Sequence, residues 1–292
     1  GTMPRMEVRR VGVVLKRSSR EALELGRQLL VELERLGVEP VVDRESGPLV
    51  GAEDGPSRLE LPAQVDLVVV LGGDGTLLSV TRGEVGETPI LGVNLGTLGF
   101  LTEHPVEAMF PMLHRALEGT ARVERRERLE VTVRTPGRDP VVRRALNDAV
   151  INKTALARMI VLSVHVDGEF VSRFRADGLI VATPTGSTAY NLSAGGPILV
   201  PTLEVMLITP ICPHTLTNRP IGVPLDAAVE VRLESLSEEV YLTLDGQEGF
   251  PLSPSDLVEI RRCPQPVHLV VDDATSFFQV LHHKLKWGER GG

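Results

Sequence analysis

The sequence predicts an α/β N-terminal domain built on a parallel sheet, followed by a β-rich C-terminal domain. Three observations carry this expectation. Residues 8–15 form an apolar run, residues 20–36 repeat apolar side chains at helical intervals, and residues 39–42 are apolar again, which is how a βαβ unit begins. Leu67 to Leu71 have no polar alternation and are β-branched in the middle, as suits a parallel strand buried on both faces. Beyond Thr120 the period falls to two: Leu129, Val131 and Val133 alternate with polar neighbours, as do Val229, Val231 and Leu233. Asp167-Gly168 and Asp245-Gly246 punctuate that half as turn signals.

Taken in order, Ser18 and Glu21 have capping-box spacing at the head of the first helix. Ala22, Leu25, Leu29, Leu33 and Leu36 mark its apolar stripe, and Gly37 closes it. The layout is Rossmann-like, yet its first turn lacks Gly-x-Gly-x-x-Gly, so the usual dinucleotide fingerprint is absent. Residues 44–58 turn to Gly, Pro, Ser and acidic types and read as a mobile surface loop, either a flap or a merely variable connection, the latter favoured. Residues 89–93 are a further strand. Gly96 and Gly99 after it mark a close backbone approach, and Phe100 is available to cover a planar ring or, on chemistry alone, to pack in the core. Residues 105–117 form an amphipathic helix ended by Gly119. The mixed signs of residues 122–128 suggest a solvated strand edge, residues 267–271 a buried strand, and residues 277–285 a short helix. The expected domains are residues 1–119 and 120–271, with residues 272–292 a tail that packs back on the first domain.

Composition bounds the setting. At 292 residues the chain can bury two sizeable cores, and 42% hydrophobic with 24% charged residues is ordinary for a globular protein. A formal net charge of −8 argues against nucleic acid or anionic membrane as partner. A nucleotide would have to be held by local donors. No run approaches the length of a membrane span and no secretory pattern is present; residues 1–4 read as a remnant of expression. Cys212 and Cys263 are too few for a disulfide scaffold and lack zinc spacing, so a reducing cytoplasm is the expected compartment. Cys212, in an apolar run, reads as an inert buried thiol. His214 reads as a cleft residue or a satisfied structural histidine, and His282-His283 as surface. No carboxylate cluster suggests a dedicated metal site.

Two stretches carry chemistry. Gly72-Gly73-Asp74-Gly75-Thr76 follows the buried strand. The glycines can take positive φ and let backbone N–H groups approach an anion, a helix can begin at Thr76, and Asp74 sets a carboxylate beside that cradle. Phosphoryl transfer to a hydroxyl needs both. The competing reading is a tight turn in which Asp74 only caps the helix. The second stretch, residues 175–197, runs from a short apolar strand into an extended loop bearing Thr183, Thr185, Ser187, Thr188, Tyr190, Asn191 and Ser193. That density of hydroxyl and amide groups suits a hydroxyl-rich ligand.

Residues 72–76 resemble the phosphate-site signature shared by NAD kinases, diacylglycerol-type lipid kinases and phosphofructokinases. Residues 175–197 are closely similar to NAD kinases. So are Asn147-Asp148 after Arg144-Ala145-Leu146, the run over residues 207–216, and Asp245-Gly246-Gln247. Together the resemblance covers residues 8–287.

It implies transfer of the γ-phosphate of ATP, or of polyphosphate in some members, to the 2′-hydroxyl of the adenosine ribose of NAD, giving NADP. By resemblance Asp74 is the general base. The implied NAD-binding residues are Asp74, Gly75, Phe100, Asn147, Asp148, Arg158, Arg175, Asp177, Thr188, Ala189, Tyr190, Asn191, Leu192, Ser193 and Gln247. Gly72, Gly73, Gly75 and Thr76 would meet the ATP phosphates, with Mg²⁺ carried by the nucleotide as Mg-ATP and no protein metal site. Many members have Glu where Asp148 stands, and His or another residue at the Arg158 position. Members assemble as homodimers or homotetramers. Two rivals remain at this stage: a lipid kinase of the diacylglycerol kinase type, which lacks the residue 185–190 loop, and a non-catalytic NAD sensor, which would have no need of Asp74.

Overall fold

The structure, a computed structural model, describes residues 8–53, 55–154, 158–215, 217–235 and 239–286. The expected remnant at residues 1–4 and the end of the tail at 287–292 lie outside the described residues. Two units divide the chain: residues 1–125 with 266–292, and residues 126–265.

The first unit is built on β1 (Arg10–Leu15), α1 (Arg20–Arg35), β2 (Glu39–Val42), α2 (Gly47–Val50), β3 (Leu67–Gly72), α3 (Asp74–Thr81), β4 (Pro89–Asn94), β5 (His104–Pro105), α4 (Met109–Leu117) and β6 (Arg122–Arg126). β1, β2, β3 and β4 pair in parallel in the order β2-β1-β3-β4. β3 is buried at every position, which is why its sequence carries no polar alternation. Chain order reverses between β1 and β3, and ligands of open α/β sheets gather at the carboxyl ends of strands around such a switch point. Ala22, Leu29 and Leu33 of α1 and Met109, Leu113 and Ala116 of α4 join Val13, Val69 and Leu91 in one core. The helix cap is Ser19, not Ser18: its side chain accepts the Ala22 N–H at 3.1 Å.

The described residues of 44–58 run at the surface, as expected, and are pinned from beneath at Asp43. Asp43, fully buried, accepts N–H bonds from Glu45 (3.0 Å), Ser46 (3.2 Å) and Arg58 Nε (3.1 Å). The Arg58 guanidinium also donates to Leu15 O at 2.8 Å and to Ser79 Oγ on α3 at 3.3 Å. Arg44, Glu45, Pro48, Leu49, Gly51 and Glu53 are exposed, as the polar composition predicts; the ion pair lies beneath them.

The second unit holds β7 (Leu129–Arg134), β8 (Val141–Ala145), β9 (Asp148–Lys153), β10 (Ile160–Val166), β11 (Glu169–Ala176), β12 (Gly178–Ala182), α5 (Tyr190–Ser193), β13 (Val205–Ile211), β14 (Ile221–Pro224), β15 (Val229–Leu233), β16 (Val240–Leu244), β17 (Glu248–Leu252) and β18 (Leu257–Arg262). They form two antiparallel six-stranded sheets, β11-β10-β15-β18-β7-β8 and β14-β13-β12-β9-β16-β17. Alternate residues of both sheets, among them Val131, Ile151, Leu162, Val181, Ile208 and Val231, fill one shared core. The period-2 pattern is the trace of that one-sided burial. Asp167-Gly168 and Asp245-Gly246 adopt left-handed pairs, with φ of 51° and 80° and of 52° and 65°.

Two expectations change. The strand at residues 267–271 was assigned by sequence order to the β-rich half; as β19 (Val267–Val271) it lies parallel to β4, with His268 opposite Pro89 and Leu269 opposite Ile90. Its apolar run suits a two-sided buried slot, so the unit boundaries fall at residues 125/126 and 265/266. The charged stretch 122–128 divides: Arg122 and Arg125 are exposed, as expected, whereas Arg126, Glu127 and Arg128 expose 6%, 7% and 0%. Arg262 forks onto Glu127 at 2.9 and 3.1 Å, and Arg128 Nε donates to Gln265 O at 2.8 Å. The final helix, α6 (Phe277–Leu285), belongs to the first unit and starts with a Ser276–Gln279 capping box. Among the described residues no helix is long and apolar enough to cross a membrane.

Candidate active site

β3 ends at Gly72, and Gly73 is the extended N-cap of α3 at φ −108°. None of Gly72, Gly73 and Gly75 is left-handed, so the expected positive φ is absent, and of Gly72 and Gly73 only the first shows a need for room. A Cβ on Gly72 would lie 2.5 Å from Thr76 Oγ1, whereas one on Gly73 would meet nothing within 4 Å. The Gly73 backbone therefore borders open space at a helix N-terminus that no side chain caps. Such an end favours an anion.

Asp74 is the first residue of α3, and it does more than begin a helix. Its Oδ1 accepts the N–H of Leu101 (3.1 Å), the N–H of Thr102 (3.0 Å) and the hydroxyl of Thr102 (2.9 Å). Its Oδ2 accepts the N–H of Phe100 (2.9 Å). The two loops meet because β3 and β4 are parallel neighbours in register, Gly72 opposite Asn94, so both chains leave the sheet at the same edge. Asn94 shapes the second loop, accepting the Gly96 N–H at 2.9 Å and donating to Thr97 O. The Phe100 ring lies 6.4 Å from that of Phe277 on α6, with Lys284 Nζ 5.7 Å above it. The ring is half-buried and these contacts hold one side of it. Sequence reading flagged Gly99 as a close approach but gave no sign of Thr102, whose partner is 28 residues away.

In the second unit, Asn147 and Asp148 are gripped from two sides. Asp245, in the β16–β17 turn, accepts the N–H groups of Leu146 (3.0 Å), Asn147 (2.7 Å) and Asp148 (3.2 Å) and donates its own N–H to Asp148 O (3.0 Å). That turn also carries Gln247, which is exposed. From the other side, Thr183 donates its N–H to Asn147 O at 2.9 Å and its hydroxyl to Leu146 O at 2.6 Å. A Cβ on Gly186 would come within 2.7 Å of Asn147 Cα, so this contact requires glycine. Asp148 is 3% exposed, and burial of its carboxyl, then the negative charge of Asp245, push its pKa up to about 7.

The stretch expected as an extended loop is coiled into a 3₁₀ turn at Thr185–Thr188 followed by α5. Asn191 is fully buried; its amide donates to Ser187 O and Pro197 O, both at 3.0 Å, and accepts the Thr209 hydroxyl at 2.7 Å. Its side chain is spent on building the segment. Thr188, Ala189 and Leu192 are half-buried and Tyr190 and Ser193 exposed, so these present the surface.

Asp177 lies toward the other end of the β9–β12 strand pair. β9 and β12 are antiparallel, with Ala182 opposite Asp148 at one end and Gly178 opposite Asn152 at the other. Four residues of strand separate the ends by about 13 Å. Asp177 precedes Gly178 and pairs with Lys153 Nζ at 3.6 Å, a partner that sequence reading missed. Arg175 is exposed on β11, its carbonyl accepting the His214 N–H at 2.9 Å, and Arg158 is exposed just before β10. Cys212, expected buried, is exposed at φ 45°. Among the described residues no group of His, Cys, Asp or Glu could hold a metal ion.

Comparisons with known proteins agree with this geometry. Residues 11–121 match the ATP-NAD kinase N-terminal domain and residues 146–271 the ATP-NAD kinase C-terminal domain. The chain is 47% identical over 285 residues to an NAD kinase of Geotalea daltonii, covering 97% of this chain and all of that one. It is 48% identical over 265 residues to an NAD kinase of Geobacter sulfurreducens, covering 90% and 93%. Among solved structures, yeast NADH kinase complexed with NADH superposes with a TM-score of 0.88 at 25% identity, over 99% of this chain and 90% of that one. An NAD kinase from Archaeoglobus fulgidus in complex with ATP gives 0.76 at 30% identity, over 95% and 98%. With both domains matched in order and relatives aligned end to end, the chain belongs to the NAD kinase family and is a kinase that acts on NAD.

Proposed function

We propose that this enzyme transfers the γ-phosphate of ATP to the 2′-hydroxyl of the adenosine ribose of NAD, with Asp74 Oδ2 receiving the hydroxyl proton. The observation that carries this is the unequal loading of the carboxylate: Oδ1 accepts three hydrogen bonds and Oδ2 one. An ionised carboxyl has about four acceptor sites, so Oδ2 keeps a lone pair for a substrate hydroxyl. In a loose phosphoryl-transfer transition state the hydroxyl proton leaves late, so fixing that lone pair matters more than basicity. The bare backbone at Gly73 and the α3 N-terminus take the phosphates of ATP.

Mg²⁺ arrives with the nucleotide, screening the phosphate charge; Mg²⁺ favours phosphates and waters over an all-protein cage. Asn147, Asp148, Gln247 and the residues that the 188–193 segment presents at its surface, Thr188, Ala189, Tyr190, Leu192 and Ser193, hold one part of NAD. Asp177, Arg158 and Arg175 hold another; the separation of Asp177 from Asp148 along β9 and β12 suits an elongated dinucleotide. We place the protein in the cytoplasm, a reading supported by two unpaired cysteines. By the family resemblance the chain assembles as a homodimer or homotetramer.

The test is NADP formation from NAD with Mg-ATP by the native chain and by Asp74→Asn, with NAD binding measured in parallel and polyphosphate tried as donor. Turnover that collapses in the variant while NAD still binds supports the assignment. A native chain that binds NAD and makes no NADP with either donor sinks it.

A further inference from the structure

The Phe100 residue faces two ways. Its backbone N–H holds Asp74 Oδ2 at 2.9 Å, while its ring meets Phe277 at 6.4 Å between centroids and lies beneath Lys284 Nζ at 5.7 Å. Both ring partners are on α6, whose Val280 and Leu281 are buried at 3% and 4% exposure and anchor it. Two further bonds tie the same loop to the same end of the chain. Glu103 Oε1 accepts the Asp272 N–H at 2.8 Å, and the buried His104 Nε2 meets Val270 O at 2.9 Å. Residues 100–104, which supply every hydrogen bond described for the Asp74 carboxylate, are thus braced at three points by residues 270–284.

We infer that α6 is a positioning element for catalysis: Phe277 and Lys284 fix the Phe100 ring and through it the N–H groups that aim Asp74. The inference rests on the reading of Asp74 as the base. A tilted ring pair and a cation over a ring face are weak contacts singly, but displacement of a reacting group by about 1 Å can cost on the order of 10²-fold in rate. Lys284 and Phe277 touch neither substrate in this account; their effect is confined to the rate of the chemical step.

The experiment compares Phe277→Ala, Phe277→Leu, Lys284→Gln and Lys284→Arg with the native chain and Asp74→Asn. It measures kcat per NAD-binding site and KM for ATP. The expected result is kcat lowered about tenfold in Phe277→Ala and about two- to fivefold in Lys284→Gln. KM for ATP stays within about twofold of native, and Lys284→Arg restores kcat because a guanidinium also sits over an aromatic face. Native kcat in both Phe277→Leu and Lys284→Gln overturns the inference. So does a loss that Lys284→Arg fails to rescue and that raises KM in step, since that marks general loosening. If Phe277→Ala does not fold, the Lys284 pair on the exposed side of the helix still decides. Asp74→Asn separates the two claims: native-like turnover there removes the base itself, whereas an inactive Asp74→Asn beside fully active α6 variants removes only the positioning role.

Discussion

Gly99 and Asp74 approach so closely that no side chain fits between them: a Cβ on Gly99 would lie 2.8 Å from Asp74 Cγ, nearer still to Oδ1, and 2.5 Å from Thr102 Oγ1. The carboxylate is short and held by four hydrogen bonds, so it has no slack to yield without losing its aim. Gly99→Ala is expected to lower kcat by at least about 10²-fold while NAD binding in the second unit's residues persists. Steady-state kinetics with isothermal titration of NAD checks this.

Asp74→Asn has a second effect. An amide can present oxygen to Leu101 and Thr102, but its NH₂ then faces the Phe100 N–H, donor against donor. The expected loss is about 10²- to 10⁴-fold in kcat, with faster hydrogen exchange at the Phe100 amide. Exchange that matches the native rate would mean that this N–H does not depend on the carboxylate.

Asp148 sets a pH dependence of stability. Unfolded, its carboxyl titrates near 4; folded, near 7. Between those values the folded chain binds more protons than the unfolded one, so this group's contribution falls as pH rises from about 4 to about 7 and is flat above. Asp148→Asn, which cannot ionise, should flatten that slope and raise Tm at pH 8 more than at pH 5. Thermal melts at the two pH values decide it.

Removing the charge at Asp245 acts on both stability and titration. Three backbone N–H groups lose a charged acceptor in Asp245→Asn, at an expected cost of about 2–4 kcal/mol. The same change removes a repulsive neighbour, so the Asp148 midpoint should move down. Urea unfolding across pH reads both effects.

Asp43→Ala removes the buried carboxylate nearest the Arg58 guanidinium, leaving the more distant Glu45 Oε2 at 3.8 Å. The expected destabilisation is about 3–5 kcal/mol, measured by urea unfolding. A change below about 1 kcal/mol would mean that the buried ion pair does little to hold this surface segment.

Much of this protein was legible before any coordinates. β3 was readable because burial on both faces removes polar alternation, and the β-rich half because burial on one face imposes it. The Asp-Gly turns were readable because few residues tolerate left-handed φ. Asp74 stood out because glycines on either side of a carboxylate, directly after a buried strand, serve few purposes. These are local properties, set within a few residues by propensity and period.

Strand order decided the rest. Asp74 meets residues 26 to 28 positions away because β4 lies beside β3; Asp245 grips Leu146, Asn147 and Asp148 from nearly a hundred positions away because β16 lies beside β9. Asn191 looked like a ligand contact by its amide and proved to be spent inside the fold, because only the packed neighbours Ser187, Pro197 and Thr209 reveal which polar groups are already satisfied. β19 joined the first sheet, and α6 reached Phe100, through contacts spanning well over a hundred residues. An apolar run declares that it will be buried, but which strand it will lie against is a long-range choice that only the assembled core makes.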